Sequence, residues 1–273
     1  MKISSRHPLV VVLLSVFPVF AADPAVDPFA GTEPIVVWVQ TDPWLDVLYS
    51  DTPNLAIYET GEVVYLDRSR SGNGYRRVVL TPERFKKIRR DILALGKFPT
   101  WRCNYNVKPN VTDQPTTILF IRFGEIYART KVYGLTTPGT RLRADNVAKP
   151  DRGADALPEG LTALHRYLAS LRFQGSTAWV PKYWEVMLWP YEYAPQESIH
   201  WPTDWPNFAS AMSRQHGELH SVFLPGAKLH ALQEFLKTRK PKGAVELDGR
   251  KWAIAYRPVF PGEPKWRRAK PGC

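Results

Sequence analysis

The sequence is poor in the signatures that usually mark an enzyme. It has no G-x-S-x-G elbow, no P-loop, no C-x-x-C pair and no kinase signature. That weighs against nucleophile-elbow hydrolases, nucleotide-driven enzymes and dithiol oxidoreductases. Gly72 and Gly74 do not form a dinucleotide fingerprint, because the strand-then-helix context and a third glycine are missing. No block of like charge is long enough to act as a polybasic arm, and no specific nucleic-acid motif is present. The apolar run Leu9 to Phe17 is too short to span a bilayer.

Cysteine is scarce too, with Cys103 and Cys273 the only two. In an oxidising compartment an even count invites a disulfide. A Cys103–Cys273 bridge would close a loop of roughly 170 residues, worth about 5 kcal/mol in the chain-entropy model. The alternatives are a buried Cys103 thiol and a tail cysteine free to pair between chains. As a nucleophile, Cys103 has only Arg102 beside it in sequence to lower its pKa.

What is present begins at the N-terminus. Lys2 and Arg6 precede the apolar run, Pro18 breaks it, and Val19-Phe20-Ala21 offers small residues where a signal peptidase reads. This layout predicts a secretory signal over residues 1–21, cut between Ala21 and Ala22, and export to the periplasm or beyond. No span remains after cleavage. No cysteine follows the cut, so a lipid anchor of the bacterial lipoprotein kind is not expected. A content of 44% hydrophobic and 12% aromatic residues argues for a packed globule. The formal net charge of +11, to which Lys2 and Arg6 contribute, favours anionic partners, although such a surplus also serves plain solubility.

Three helices are predicted. Thr81-Pro82-Glu83 caps and opens one, with Phe85, Ile88, Ile92 and Leu95 on one face and Gly96 at its end. Pro158-Glu159 starts a second, carrying Leu161, Leu164, Leu168 and Leu171. Pro225-Gly226 starts a third with Leu229, Leu232, Phe235 and Leu236, stopped by Lys240-Pro241. Strands are expected over Pro34 to Thr41, Leu55 to Tyr58, Val63 to Leu66, Arg76 to Leu80, Thr116 to Arg122 and Ile126 to Tyr133. Ala244 to Leu247 and Lys251 to Arg257 flank Asp248-Gly249, a strong two-residue hairpin turn. Strand runs broken by single helices predict an α+β fold with mostly antiparallel sheets. Ala144 to Pro158 and Asp67 to Arg77, with Arg68, Arg70, Arg76 and Arg77, read as an exposed loop and a hairpin tip.

Val78 to Pro82 and Ser221 to Pro225 each end a strand and open a Pro-started helix. This echo suggests two related halves, 22–175 and a Trp/Pro-rich 176–273, although strand-to-helix turns commonly use such residues. The chain also resembles a loose group of bacterial secreted proteins and lipoproteins without an assigned activity. The likeness is carried by Leu55-Ala56-Ile57-Tyr58 with Gly61-Glu62-Val63, by Thr112-Asp113-Gln114-Pro115-Thr116-Thr117, and by Trp252, Tyr256-Arg257-Pro258 and Pro261-Gly262-Glu263. Many of that group carry a lipid-modified cysteine, which this chain lacks. The resemblance implies no substrate or reaction.

Three stretches could carry chemistry. Between Trp179 and Trp205 lie Trp184, Trp189, Trp201 and the acids Glu185, Glu192, Glu197 and Asp204. Aromatic faces beside carboxylates suit a sugar cleft, and paired acids could serve a glycosidase. The competing reading is a loop stiffened by Trp and Pro that packs over the sheet. His216, Glu218 and His220 alternate, so in a strand they would share a face and could ligate zinc, or simply be polar residues on a solvated face. No metal or cofactor is assigned from this. The tail Lys265-Trp266-Arg267-Arg268-Ala269-Lys270 could grip phosphates, or be a solvated terminus. Arg257 and Glu263 are spaced to pair across the Pro258–Pro261 turn, a structural role. The resulting expectation is an exported α+β protein that acts by binding an envelope glycan or another protein through the tryptophan stretch. The alternatives are a carbohydrate-active hydrolase using Glu185 with Glu192 or Asp204, and an inhibitor or assembly factor for another exported protein.

Overall fold

The structure, a computed structural model, describes residues 26–44, 47, 51–68, 74–135 and 152–268. The expected signal, with its cleavage site at Ala21 and Ala22, lies outside them, as do Arg70, Gly72, most of the 144–158 loop and Cys273.

Residues up to Ala178 build an eight-stranded sheet. Its strands are β1 (Pro34–Gln40), β2 (Pro53–Tyr58), β3 (Glu62–Leu66), β4 (Tyr75–Val79), β5 (Asn104–Asn106), β6 (Thr116–Phe123), β7 (Ile126–Tyr133) and β8 (Thr177–Ala178). Across the sheet the order is β5-β7-β6-β1-β2-β3-β4-β8, antiparallel except for β5 beside β7. Two helices cover one face, α1 (Pro82–Gly96) and α2 (Glu159–Ser170). Thr81 caps α1 by accepting a hydrogen bond from the Arg84 amide at 3.3 Å, with Pro82 in the first turn. Strand alternation sends Val36, Trp38, Leu119 and Ile121 to that face, against Ile88 and Ile92 of α1 and Leu161, Leu164 and Leu168 of α2.

The second sheet starts at Tyr183, with β9 (Tyr183–Pro190), β10 (Gln196–His200), β11 (Ser213–His216), β12 (Leu219–Pro225), β13 (Gly243–Leu247) and β14 (Arg250–Pro258). Their order is β10-β13-β14-β9-β12-β11, with only β10 and β13 parallel. The Asp248-Gly249 turn joins β13 to β14 with both residues at positive φ, as the sequence predicts. A 3-10 turn over Gly226–Lys228 leads into α3 (Leu229–Lys237), whose Leu232 packs on Val186, Val222 and Val245. The fold is therefore α+β with two mostly antiparallel sheets, and the described residues hold four helices.

Two expectations need correction. The Trp179–Trp205 stretch is not one long loop: Tyr183–Pro190 is an interior strand of the second sheet, hydrogen-bonded to both β12 and β14, and Gln196–His200 is an edge strand. Nor is the described part of the tail a frayed terminus, although Lys265 and Arg268 are exposed. Glu263–Arg267 forms the short helix α4, and Trp266 is only 1% exposed.

The uncovered faces of the two sheets turn toward each other. From the first come Val37, Val39, Phe120 and Ile118, and from the second Glu185, Met187, Leu219, Ser221, Phe223 and Arg257. The chain after β14 re-enters this layer, placing Phe260 and Trp266 against Val37, Tyr58 and Tyr75 of the first sheet. Val47 fills it from the other side, against Met187 and Leu219.

Candidate ligand cleft between the sheets

A cleft of about 720 Å³ opens in this interlayer. Its first wall is Val39, Thr41, Thr116 and Ile118 with Arg129 and Lys131 of β7. Its second is Glu185, Met187, Leu219, Ser221, Phe223 and Arg257, and Trp266 and Arg267 close one side. Alternation explains the composition. In β7, Ala128, Thr130 and Val132 are buried on the helix side of the sheet, leaving Arg129 and Lys131 for the cleft.

A chain of buried charges ties the second sheet to the tail. Ser221 Oγ donates to Glu185 Oε1 at 2.6 Å, and Arg257 Nη2 donates to the other carboxylate oxygen. Arg257 Nη1 also lies 2.6 Å from Glu263, which in turn accepts from Arg267 Nε. This is the Arg257–Glu263 pair expected from the sequence, extended by one residue at each end. Burial pushes the Glu263 carboxyl up, but the guanidiniums of Arg257 and Arg267 outweigh it and hold the pKa below the ordinary glutamate value. Burial likewise disfavours a charged Arg257, yet Glu263 and Glu185 reverse the effect and raise its pKa.

Arg129 differs from these. The residue is 9% exposed, its pKa is lowered by burial, and no carboxylate pairs with it among the described residues. Nε donates to the Trp266 carbonyl at 3.0 Å and Nη2 to the Arg267 carbonyl at 3.2 Å. On the rim, Arg214 lies over the rings of Phe29 and Phe223 and pairs with Asp27 at 2.8 Å. Asp42 and Asp51 stand on the opposite side, and burial raises the Asp51 carboxyl despite a hydrogen bond from the Asp42 amide.

The residues singled out from sequence are scattered. Trp184, Trp201 and Trp205 are buried at 8% exposure or less and serve as core. Trp201 donates its indole N–H to the Pro206 carbonyl and meets Trp205 edge-on at 5.1 Å. Trp189 is half-buried against Met187 and Val47. Large aromatics go where most area can be buried, although Trp201 and Trp205, at 8% exposure or less, still line a second pocket with His200, Glu246 and Asp248.

The proposed acid pairs also diverge. A strand rises about 3.3 Å per residue, so Glu185 lies about 16 Å from the far end of β9. Glu192 lies beyond that end, paired with Arg250 at 3.0 Å. Asp204 is exposed on the α3 side of the sheet, 3.7 Å from Lys228. The Glu185–Glu192 separation does not match the roughly 5–9.5 Å of paired glycosidase carboxylates. His216, Glu218 and His220 do not share a strand either. Gly217 and Glu218 form the turn between β11 and β12, with Gly217 at φ +61°. His216 lines the cleft, whereas His220 stacks on Phe208 at 4.1 Å on the other face, where burial lowers its pKa. Among the described residues no group of three or more His, Cys, Asp or Glu could hold a metal.

Cys103 is disulfide-bonded. Sequence reasoning missed Arg129, Lys131 and Arg214 as cleft residues. The usable signal was the alternation of β7, where two bases lie on the face opposite a buried stripe. No protein-family model, curated protein or solved structure matches this chain.

Proposed function

We propose that this chain is an exported binding protein whose ligand sits in the cleft between the sheets rather than on the tryptophan stretch. Export rests on the N-terminal sequence, and the likeness to secreted proteins without an assigned activity agrees with it. The observation that carries the binding role is the cleft itself. At about 720 Å³ it falls within the ~300–1,000 Å³ of small-molecule sites and combines apolar walls with a few fixed polar groups. The Glu185–Arg257–Glu263–Arg267 chain supports this role by locking the polar wall before a ligand arrives, which lowers the ordering cost of binding. A small component of the cell envelope would be the partner.

The test is a thermal-shift screen of envelope extract fractions against the wild-type protein and Ile118→Trp, which fills the cleft from the first sheet. At least one fraction should raise the wild-type midpoint and leave the filled variant unmoved. No stabilising fraction, or equal stabilisation of both proteins, would contradict the proposal.

A further inference from the structure

We infer that the cleft takes an amphiphile, an aliphatic chain carrying one anionic head group, with the head on Arg129 and Lys131. This rests on the cleft being the binding site and adds the chemistry of what enters it. A buried guanidinium ordinarily sits with a carboxylate, because an uncompensated charge is costly in a low-dielectric setting. Arg129 has none among the described residues: Nε and Nη2 are used on backbone carbonyls, no hydrogen bond from Nη1 is made to a described residue, and the side chain lines the cleft. Lys131 is two residues along the same face of β7 and lines the same cleft, and its ammonium has no ion pair among the described residues.

The carboxylates that share the cleft are engaged elsewhere. Both oxygens of Glu185 are taken, by Ser221 and Arg257. Asp51 accepts from the Asp42 amide and is stabilised by the charge of Arg267, and Asp42 accepts from the Trp44 amide. Asp42 follows β1 and Asp51 precedes β2, so β6 intervenes, and β7 lies about 10 Å from β1 at the usual strand spacing. The unmet requirement at the β7 end is thus for an anion. Beyond the two bases the walls turn apolar, with Val39, Ile118, Met187, Leu219 and Phe223. An aliphatic chain lies there at the cost of only its own ordering, and each buried methylene contributes about 0.8 kcal/mol.

Titration calorimetry with dodecanoate, dodecyl phosphate, dodecanol and acetate tests this on the full mature chain. Either anionic amphiphile should bind, with dodecanol about ten- to a hundredfold weaker and acetate weaker still, as charge-assisted hydrogen bonds require. The preference between the first two separates a free fatty acid from a lipid phosphate. Arg129→Gln should abolish the preference for a charged head. Because Arg129 also braces the tail, Lys131→Met, at an exposed position, is the cleaner variant, and it should weaken the anions tenfold or more while sparing dodecanol. Dodecanol binding as tightly as dodecanoate, or Lys131→Met leaving the anions unchanged, overturns the head-group assignment while leaving the cleft as a site. If neither anion binds, this inference is lost, and the extract screen with Ile118→Trp decides separately on the cleft.

Discussion

His165 is the most isolated titratable side chain in the first core. It is 1% exposed, meets Trp38 edge-on at 5.4 Å, and its Nε2 has no partner among the described residues. Burial, with help from Arg166, lowers its pKa to about 4. Its folded pKa therefore lies below its unfolded value of about 6.5, and the unfolded chain takes up a proton that the native one refuses. Stability should be complete above pH about 6.5 and decline as the pH falls toward 4, by up to about 3 kcal/mol. His165→Phe should remove most of that slope in urea unfolding measured from pH 7 to 4. Glu263 acts with the same sign at lower pH, since its folded pKa is depressed and its contribution is lost as the pH falls through that value. Glu263→Gln leaves Arg257 and Arg267 without their shared counter-charge. It should cost about 3–5 kcal/mol at neutral pH, read from chemical denaturation.

At the scale of elements, the contact between α1 and α2 depends on one glycine. A Cβ on Gly160 would meet the Leu95 carbonyl oxygen at 2.6 Å and that of Gly96 at 2.7 Å. Both are backbone atoms at the end of a helix, so the helices must separate. Gly160→Ala should destabilise by about 1–3 kcal/mol despite its better helix propensity, seen as a lower thermal midpoint. The elements also show what sequence can and cannot reveal. The helix opening at Thr81-Pro82, the hairpin at Asp248-Gly249 and the strands around Gly61 and Gly124 were legible because each is marked by local chemistry. β9 was not legible, because it is flanked by strands and covered on both faces. Val186 and Leu188 look to one core, Met187 and Trp189 to the other, and no solvated face remains. α4 was hidden by its two bases, Lys265 and Arg267, which lie on either side of a fully buried Trp266.

For the whole molecule, the two sheets are joined by the return of the chain after β14, not only by the link at Ala178–Tyr183. That return carries Phe260 and Trp266 into the face of the first sheet. The cleft exists because of this arrangement, which explains why it was not legible: β6 and β7 meet β9 and β12 from far along the chain. Arg257 with Glu263 was readable because only a short turn separates them. The disulfide at Cys103 belongs to the same scale, constraining the unfolded chain more than any local contact. Cys103→Ser should cost about 2–5 kcal/mol in denaturant unfolding, with little change in ligand affinity. The most direct measurement is a crystal structure of the protein soaked with dodecanoate. Electron density should run between the sheets, its carboxylate against Arg129 and Lys131 and its chain along Ile118 and Met187. Density over Trp201 and Trp205 instead, or an empty cleft at saturating ligand, would contradict the assignment of this cleft as the binding site.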